Sequence, residues 1–205
     1  MPAAPSQTRI CNAALVLLGT SRRIGALNDG TPLAVQFARV WDEAVREMQA
    51  DHPWNPCIRR VDGALSADFT PKGSQWAYAF ELPAGMLRWL PWREDHVDYF
   101  DGEQESDEQG RGFILANDSA IVIRGIFLVE DVGRWTAGME AAMAALLAAK
   151  TAKAITGQSG MIDRMAAVYD EAIGRAKRQD GLATGQRART AHFRSSWLDA
   201  RRDGG

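Results

Sequence analysis

Cysteine is scarce in this 205-residue chain, and long apolar runs are absent. The two cysteines, Cys11 and Cys57, are too few for a disulfide framework, which excludes the small disulfide-stabilised secreted folds. The longest unbroken apolar run covers residues 141–149, whereas a transmembrane helix needs about 20 apolar residues, so no membrane span is predicted. No charged segment leads into an apolar one at the N-terminus, so no signal peptide is expected.

Sequence motifs of catalysis are also missing. The chain contains no HExxH, paired CxxC, GxSxG or phosphate-binding loop. His52 and Cys57 are close enough along the chain to raise the question of a base and a nucleophile, but His52 is more simply interpreted as a helix cap. We therefore predict that the chain is not an enzyme and that it uses no cofactor.

The distribution of charge is more informative than the net charge of −2, which argues against a general nucleic-acid binder. Residues 94–108 contain eight acidic residues and no lysine or arginine. Residues 175–205 contain eight basic residues against three acidic ones. Ends of opposite charge are typical of a protein that docks between two different partners, and solvated loops are the alternative.

The acidic block, residues 94–108, invites comparison with a calcium-binding loop. Such a loop places oxygen ligands at alternate positions before its glycine, but here Tyr99 and Phe100 stand where ligands are needed. No metal ligands are therefore predicted, and a weak divalent-cation site is the alternative. A pair of carboxylates can also hydrolyse glycosides, but their separation in space decides that chemistry.

Capping residues and apolar spacing predict two helices in the first part of the chain. Ser6 is a suitable N-cap for a helix that ends at Gly19. Thr31 and Pro32 begin a second helix, which stops near Asp51 because prolines follow it. These two helices supply one side of the expected core.

Two further helices are predicted in the last third of the chain. Helix begins near Gly133 in an alanine-rich segment, breaks at residues 157–160 and resumes to about Arg178, which is typical of a helical hairpin. Their apolar faces and that of the second helix are expected to pack in one core, which contains Phe37, Trp41, Val45, Leu146, Leu147, Met165 and Tyr169.

Between the helices the pattern changes to short runs of β-branched and aromatic residues separated by glycine and proline. The runs at 113–115 and 121–123 are interpreted as a hairpin around the polar turn 117–119. The predicted fold is therefore mainly α: a helical bundle of about four helices with a small β-containing insertion and an extended C-terminal tail. The predicted segments are N-terminal helices at 1–60, the insertion at 61–132, the helical hairpin at 133–180 and the tail at 181–205.

The tail has no apolar periodicity of its own and is not expected to fold alone. Its large apolar residues include Phe193, Trp197 and Leu198, and an aromatic residue among arginines is typical of an interface hot spot. We interpret the tail as an anchor on a partner's surface, whose charged contacts are Arg187, Arg189, Arg194, Arg201 and Arg202.

Five stretches follow one another along nearly the whole chain, with 95–112 unmatched. They are ICNAALVLLG at 10–19, residues 34–55 ending in HPWN, WAYAF with LPAGMLR at 76–88, AKAITG at 152–157 and SSWLDAR at 195–201. The HPWN segment and the 76–88 block are the most specific. In this order the stretches resemble the head-to-tail adaptor proteins of tailed bacteriophages, the tail tubular protein A family, which has relatives in gene transfer agents.

The resemblance implies a structural protein of the virion, present in the host cytoplasm during assembly. It implies a dodecameric ring beneath the portal, with double-stranded DNA passing through it and tail proteins (nozzle or stopper) on the far side. The tail residues named above would then bind the portal ring, and Asp98, Asp101 and Glu103 would face the tail or the ring exterior. Neither catalysis, a cofactor nor a membrane is implied.

Two other functions are open on the residues alone. A cell-wall hydrolase carried in the virion would use carboxylates of the acidic block, and an assay on cell-wall material would reveal it. A DNA-binding module would use the basic tail and bind in a salt-dependent way. No recognition-helix pattern precedes that tail, which disfavours the DNA-binding module.

Overall fold

The computed structural model describes residues 6–71 and 75–183. In these residues two helices are followed by the strands and then by two more helices. The helices are α1 (Gln7–Leu17), α2 (Pro32–Asp51), α3 (Ala137–Thr156) and α4 (Gly160–Ala183). The strands are β1 (Ile58–Asp62), β2 (Ala64–Leu65), β3 (Tyr78–Glu81), β4 (Met86–Trp89), β5 (Gly102–Ser106), β6 (Gly112–Ala116) and β7 (Val122–Phe127).

The prediction of a mainly α bundle is wrong, because the fold is mixed α/β. The strands form two antiparallel sheets, one of three strands in the order β1-β7-β4 and one of four in the order β2-β3-β6-β5. Each strand is short, and partners such as β1 and β7 are far apart along the chain. Strand pairing depends on contacts between distant segments, so the local pattern of residues contains little information about which strands pair. Helix caps and helical spacing, in contrast, are local features of the sequence.

The predicted hairpin of residues 113–115 and 121–123 is also wrong. Strand β6 pairs with β3 and β5 in the four-stranded sheet, whereas β7 lies between β1 and β4 in the other sheet. The chain therefore changes sheets at the polar turn 117–119. A polar turn marks a change of chain direction both in a hairpin and in a connection between two sheets. It therefore does not reveal whether the strands on its two sides pair with each other.

The helix boundaries agree with the capping residues. Ser6 accepts a hydrogen bond from the backbone N–H of Arg9, and Thr31 caps α2 in the same way. Gly157 ends α3 in the left-handed conformation that glycine adopts at low cost, with φ of 72°. Helix α4 runs on to Ala183, into the segment predicted as tail. Within the described ranges no helix is long and apolar enough to cross a membrane.

The predicted core is confirmed. All seven of its residues lie in one cluster, where Tyr169 is half-buried and the other six are buried. The same cluster includes Ile126 of β7 and Trp135, which stacks on Trp41 with 6.4 Å between ring centroids. One core therefore joins the helices to the three-stranded sheet, and a second, built around Phe80 and Ile114, belongs to the strands.

Two side-chain amides fasten irregular segments to the helices. Asn12 of α1 bonds both the N–H and the carbonyl of Ile24, at 2.9 and 3.0 Å. The fully buried Gln49 of α2 does the same with Val129, at 2.9 Å for each bond. Each amide satisfies a donor and an acceptor of a segment that has no strand partner at that point.

Candidate interaction surfaces

The HPWN segment joins the end of α2 to the end of α4. Trp54 is fully buried, and its indole N–H donates to a backbone carbonyl of α2 at 2.9 Å. His52 Nε2 donates to Oδ2 of Asp180 at 3.2 Å. The backbone N–H of Asn55 bonds the same carboxylate at 3.2 and 3.3 Å, and its Nδ2 donates to the Asp180 carbonyl at 3.0 Å. We call this arrangement the Asp180 clamp.

Asp180 was not predicted as a functional residue and was counted only among the charges of residues 175–205. Its side chain is 4% exposed, and a carboxylate buried to that degree is stable only when donors surround it. His52 and Asn55 are those donors. The sequence indicates only the donors, because HPWN places polar residues where a helix ends but does not show which residue accepts their hydrogen bonds.

Cys57 lies close to the Asp180 clamp and is fully buried. Burial, together with the negative charge of Asp180, raises the pKa of the Cys57 thiol to about 12. A thiol with that pKa is protonated at neutral pH and is a poor nucleophile. His52 contacts Asp180 through Nε2 and lies edge-on against Trp54, with 4.7 Å between ring centroids.

Replacing Asp180 by alanine is expected to lower the free energy of unfolding by about 2–4 kcal/mol, because it leaves the donors of His52 and Asn55 without their acceptor. Urea denaturation would measure the loss. The matched control is Asp170→Ala, which removes an exposed carboxylate from the same helix and should cost less than about 0.5 kcal/mol. Equal losses in the two variants would contradict the clamp.

The acidic residues predicted to face a partner lie along a loop and a strand edge. Asp101 and Glu103 are exposed, and Glu103 belongs to β5, the outer strand of the four-stranded sheet. Asp98 is half-buried, and its backbone N–H donates to Nδ1 of His96 at 3.1 Å. Its Oδ2 lies 3.6 Å from that nitrogen, too far for a hydrogen bond. We call Asp98, Asp101 and Glu103 the acidic edge.

One residue of the acidic edge, Glu103, lies on the outer strand of the four-stranded sheet. Charged side chains on such an edge oppose unspecific pairing with other strands, and they are complementary to a basic surface. The residues of 94–108 do not converge on a cation. In the described part of the chain no three His, Cys, Asp or Glu side chains are placed to share a metal ion.

A cleft lined by arginines was not predicted. Arg60 of β1 and Arg124 of β7 are direct partners in the antiparallel register, and their Cζ atoms lie 5.4 and 5.6 Å from the ring centroid of Trp92. Trp92 donates from Nε1 to the carbonyl of Val122 at 2.6 Å, and the His96 ring stacks on it at 4.0 Å. This arginine cleft is completed by Asn55, Ile58, Arg93 and Asp95.

The sequence signal for the arginine cleft was weak. Arg60 and Arg124 each interrupt a run of strand-forming residues, which shows at most that one face of each strand is polar. Their pairing depends on the register of β1 against β7, and a shift by one residue would turn the arginines to opposite faces of the sheet.

An apolar groove runs between α1, α3 and α4. Alanines, among them Ala144 and Ala172, line its floor, and Val168 closes one wall. Val16 and Leu17 of α1 stand at its rim, 63% and 39% exposed. Exposed apolar surface of this kind is common where proteins contact one another.

The tail residues predicted to bind the portal lie outside the described residues: Arg187, Arg189, Phe193, Arg194, Trp197, Leu198, Arg201 and Arg202. The structure does place the point from which the tail leaves. Ala183, the last described residue, follows three positions after Asp180, which bonds Asn55. No family model matches this chain, and no curated protein matches it.

Proposed function

We propose that this protein is the head-to-tail adaptor of a tailed phage or phage-like particle. It forms a ring under the portal, expected to be dodecameric, joins the capsid to the tail and surrounds the channel through which DNA passes. The observation that carries the proposal is the Asp180 clamp. One of the two most specific stretches of the resemblance, HPWN, supplies the donors that hold the end of α2 against the end of α4, so its residue types have a structural role in this fold.

The charged surfaces support the same function. A connector contacts different partners on its two sides, and complementary charge selects each of them. The acidic edge lies on the loop before β5 and on β5 itself, the outer strand of the four-stranded sheet. The basic tail follows α4 along the chain. The apolar groove between three helices adds a surface suited to contacts within an assembly.

The purified chain is expected to be a monomer or weak oligomer that forms a ring only on the portal. No heptad seam offers a self-sufficient interface, so a template is needed to bring the copies together. Light scattering of the chain alone, and negative-stain images of the chain mixed with portal rings of the same particle, would test this. A stable ring without the portal would contradict the templated assembly, and hydrolysis of cell-wall material would favour the alternative function.

Reversing the charges of the acidic edge should weaken attachment of the tail and leave portal binding intact. Asp101→Lys with Glu103→Lys is the first variant to make, because both side chains are exposed, and Asp98→Lys completes the series. Asp163→Lys with Asp170→Lys is the control, since it reverses the same charge on α4. Sedimentation of assembled particles would measure both steps. Unchanged tail attachment would favour the view that these residues are only solvated.

A further inference from the structure

We infer that an exposed apolar loop tip of one copy of this chain docks into the apolar groove of a second copy. The loop tip consists of Val97 and Tyr99, on the connection between β4 and β5. This rests on the proposed function in one respect, that the contact would join neighbours in the ring. The contact itself can be tested without the portal.

The loop tip exposes apolar side chains that its own chain does not cover. Val97 is 93% exposed, the highest value among the large apolar side chains of the described ranges, and Tyr99 is 40% exposed. Covering such side chains with an apolar surface is favourable. Single exposed apolar residues are common on proteins, so the loop tip indicates a contact only together with a surface that matches it.

The loop tip is held in place from both sides. Trp92 before it and Phe100 after it are each 7% exposed and belong to the core of the strands. Between them, the backbone N–H of His96 donates to the Arg93 carbonyl at 2.9 Å, and that of Tyr99 donates to the His96 carbonyl at 3.0 Å. The His96 ring also stacks on Trp92. Because these turns fix the backbone of the loop, docking the tip costs little ordering.

The apolar groove is the matching surface. Its volume of about 490 Å³ falls in the range of sites that enclose small molecules, so it has room for the side chains of the loop tip. The groove lies among α1, α3 and α4, whereas the loop tip is anchored on the core of the strands. A protrusion and a recess at different places on one chain make a head-to-tail contact, which repeats from copy to copy and closes into a ring when the rotation allows it.

Charge favours a second copy of this chain as the occupant of the groove. Glu94 and Asp95 precede the loop tip and are exposed. On the α4 side of the groove, Arg175 belongs to the lining, and Arg164 lies about three helical turns before it on the same face. Glu171 is the one carboxylate in the lining and pairs with Arg175. An acidic loop therefore meets a rim with more arginine than glutamate, an attraction that an uncharged apolar segment would lack.

The contact is small, which fits the expectation that the ring forms only on a template. A standard interface buries about 800 Å² on each partner, and the loop tip supplies only part of that area. Self-association of the free chain is therefore expected to be weak and to require a high protein concentration. A portal that holds neighbouring copies side by side would raise their effective concentration and stabilise the same contact.

Cross-linking between two single-cysteine variants tests the contact. The two native cysteines are fully buried, so Val97→Cys and Val16→Cys each add an accessible thiol, one at the loop tip and one at the rim of the groove. One variant carries a tag, so that mixed and like dimers differ in mass. At high concentration, a short bismaleimide should give mixed dimers in about fivefold excess over like dimers or more, because a head-to-tail contact brings the two thiols together. Equal yields of mixed and like dimers, or no dimers, would overturn the inference.

Sedimentation equilibrium of the free chain gives the strength of the contact. Val97→Asp should weaken self-association about fivefold or more, because a carboxylate loses its hydration in an apolar groove, and Val16→Asp should act in the same way from the other side. The matched control is Val35→Asp, at an exposed valine of α2 outside both surfaces, and it should change self-association less than about twofold. Circular dichroism should show that all three variants are folded. Equal weakening by the control, or self-association that Val97→Asp leaves unchanged, would overturn the inference.

Assembly on the portal separates the two proposals. If Val97→Asp forms rings on the portal as readily as the unchanged protein does, the contact does not join neighbours there, and this inference fails while the proposed function stands. If mixed dimers form but the unchanged protein never assembles on portal rings, the proposed function fails and the contact stands. If the loop tip instead docks on a portal or tail protein, Val97→Asp weakens that binding and leaves self-association unchanged, which again overturns the inference.

Discussion

Leu147→Ala is expected to lower the free energy of unfolding by about 2–5 kcal/mol. Leu147 is fully buried in the main core, on the helix that packs against α1, α2 and α4. Truncation at this point leaves a cavity that no single helix can close by moving, since each is held by other contacts to α3. Equilibrium urea denaturation followed by circular dichroism would give the value.

The same substitution at Leu182 is the control. That leucine lies on α4 but is 76% exposed, so Leu182→Ala should change the free energy of unfolding by less than about 0.5 kcal/mol. Its far-UV spectrum should match that of the unchanged protein. A loss of similar size at both leucines would mean that the core does not lie on the face of α3 described above.

Removing residues 184–205 is expected to abolish attachment to the portal and to leave the free energy of unfolding within about 0.5 kcal/mol of its original value. The truncated chain ends at Ala183 and therefore keeps the Asp180 clamp. A cut before Asp180 should instead destabilise the protein, because it removes the acceptor of His52 and Asn55. Pull-down on portal rings and urea denaturation, applied to both truncations, separate anchoring from folding.

Trp197→Ala tests the same anchor with a single change. Loss of the Trp197 side chain should weaken portal binding by about 2 kcal/mol or more, as expected for a tryptophan hot spot. Thr190→Ala in the same tail is the control and should have little effect. If the truncated protein docks with unchanged affinity, the tail is not the anchor, and the portal-binding role of its arginines fails with it.

The helices could be predicted because their determinants are local. Ser6, Thr31 and Gly157 act on donors and carbonyls within a few positions of themselves, and apolar side chains at helical spacing indicate the buried face. The sheets could not be predicted in the same way. The pairing of Ile58 with Ile126 joins residues that are remote along the chain, and each strand offers too few positions to specify a partner.

The same distinction explains the candidate surfaces. The acidic edge is a run of neighbouring residues, so composition alone reveals it. The Asp180 clamp and the arginine cleft are each assembled from two or three distant segments. Asp180 has no local feature that separates it from a solvated aspartate, and Arg60 has none that points to Arg124. Only the fold brings these side chains together.

The two hydrogen bonds between Gln49 and Val129 affect how the molecule responds to force. The Gln49 amide bonds Val129 on both the donor and the acceptor side, at the point where the chain leaves β7 and runs toward α3. A pull along the chain from β7 toward α3 therefore meets two buried hydrogen bonds, both of which must break before this segment separates from α2. In the assembly proposed above, we expect load to deform the contacts with the partners before it separates this segment from α2.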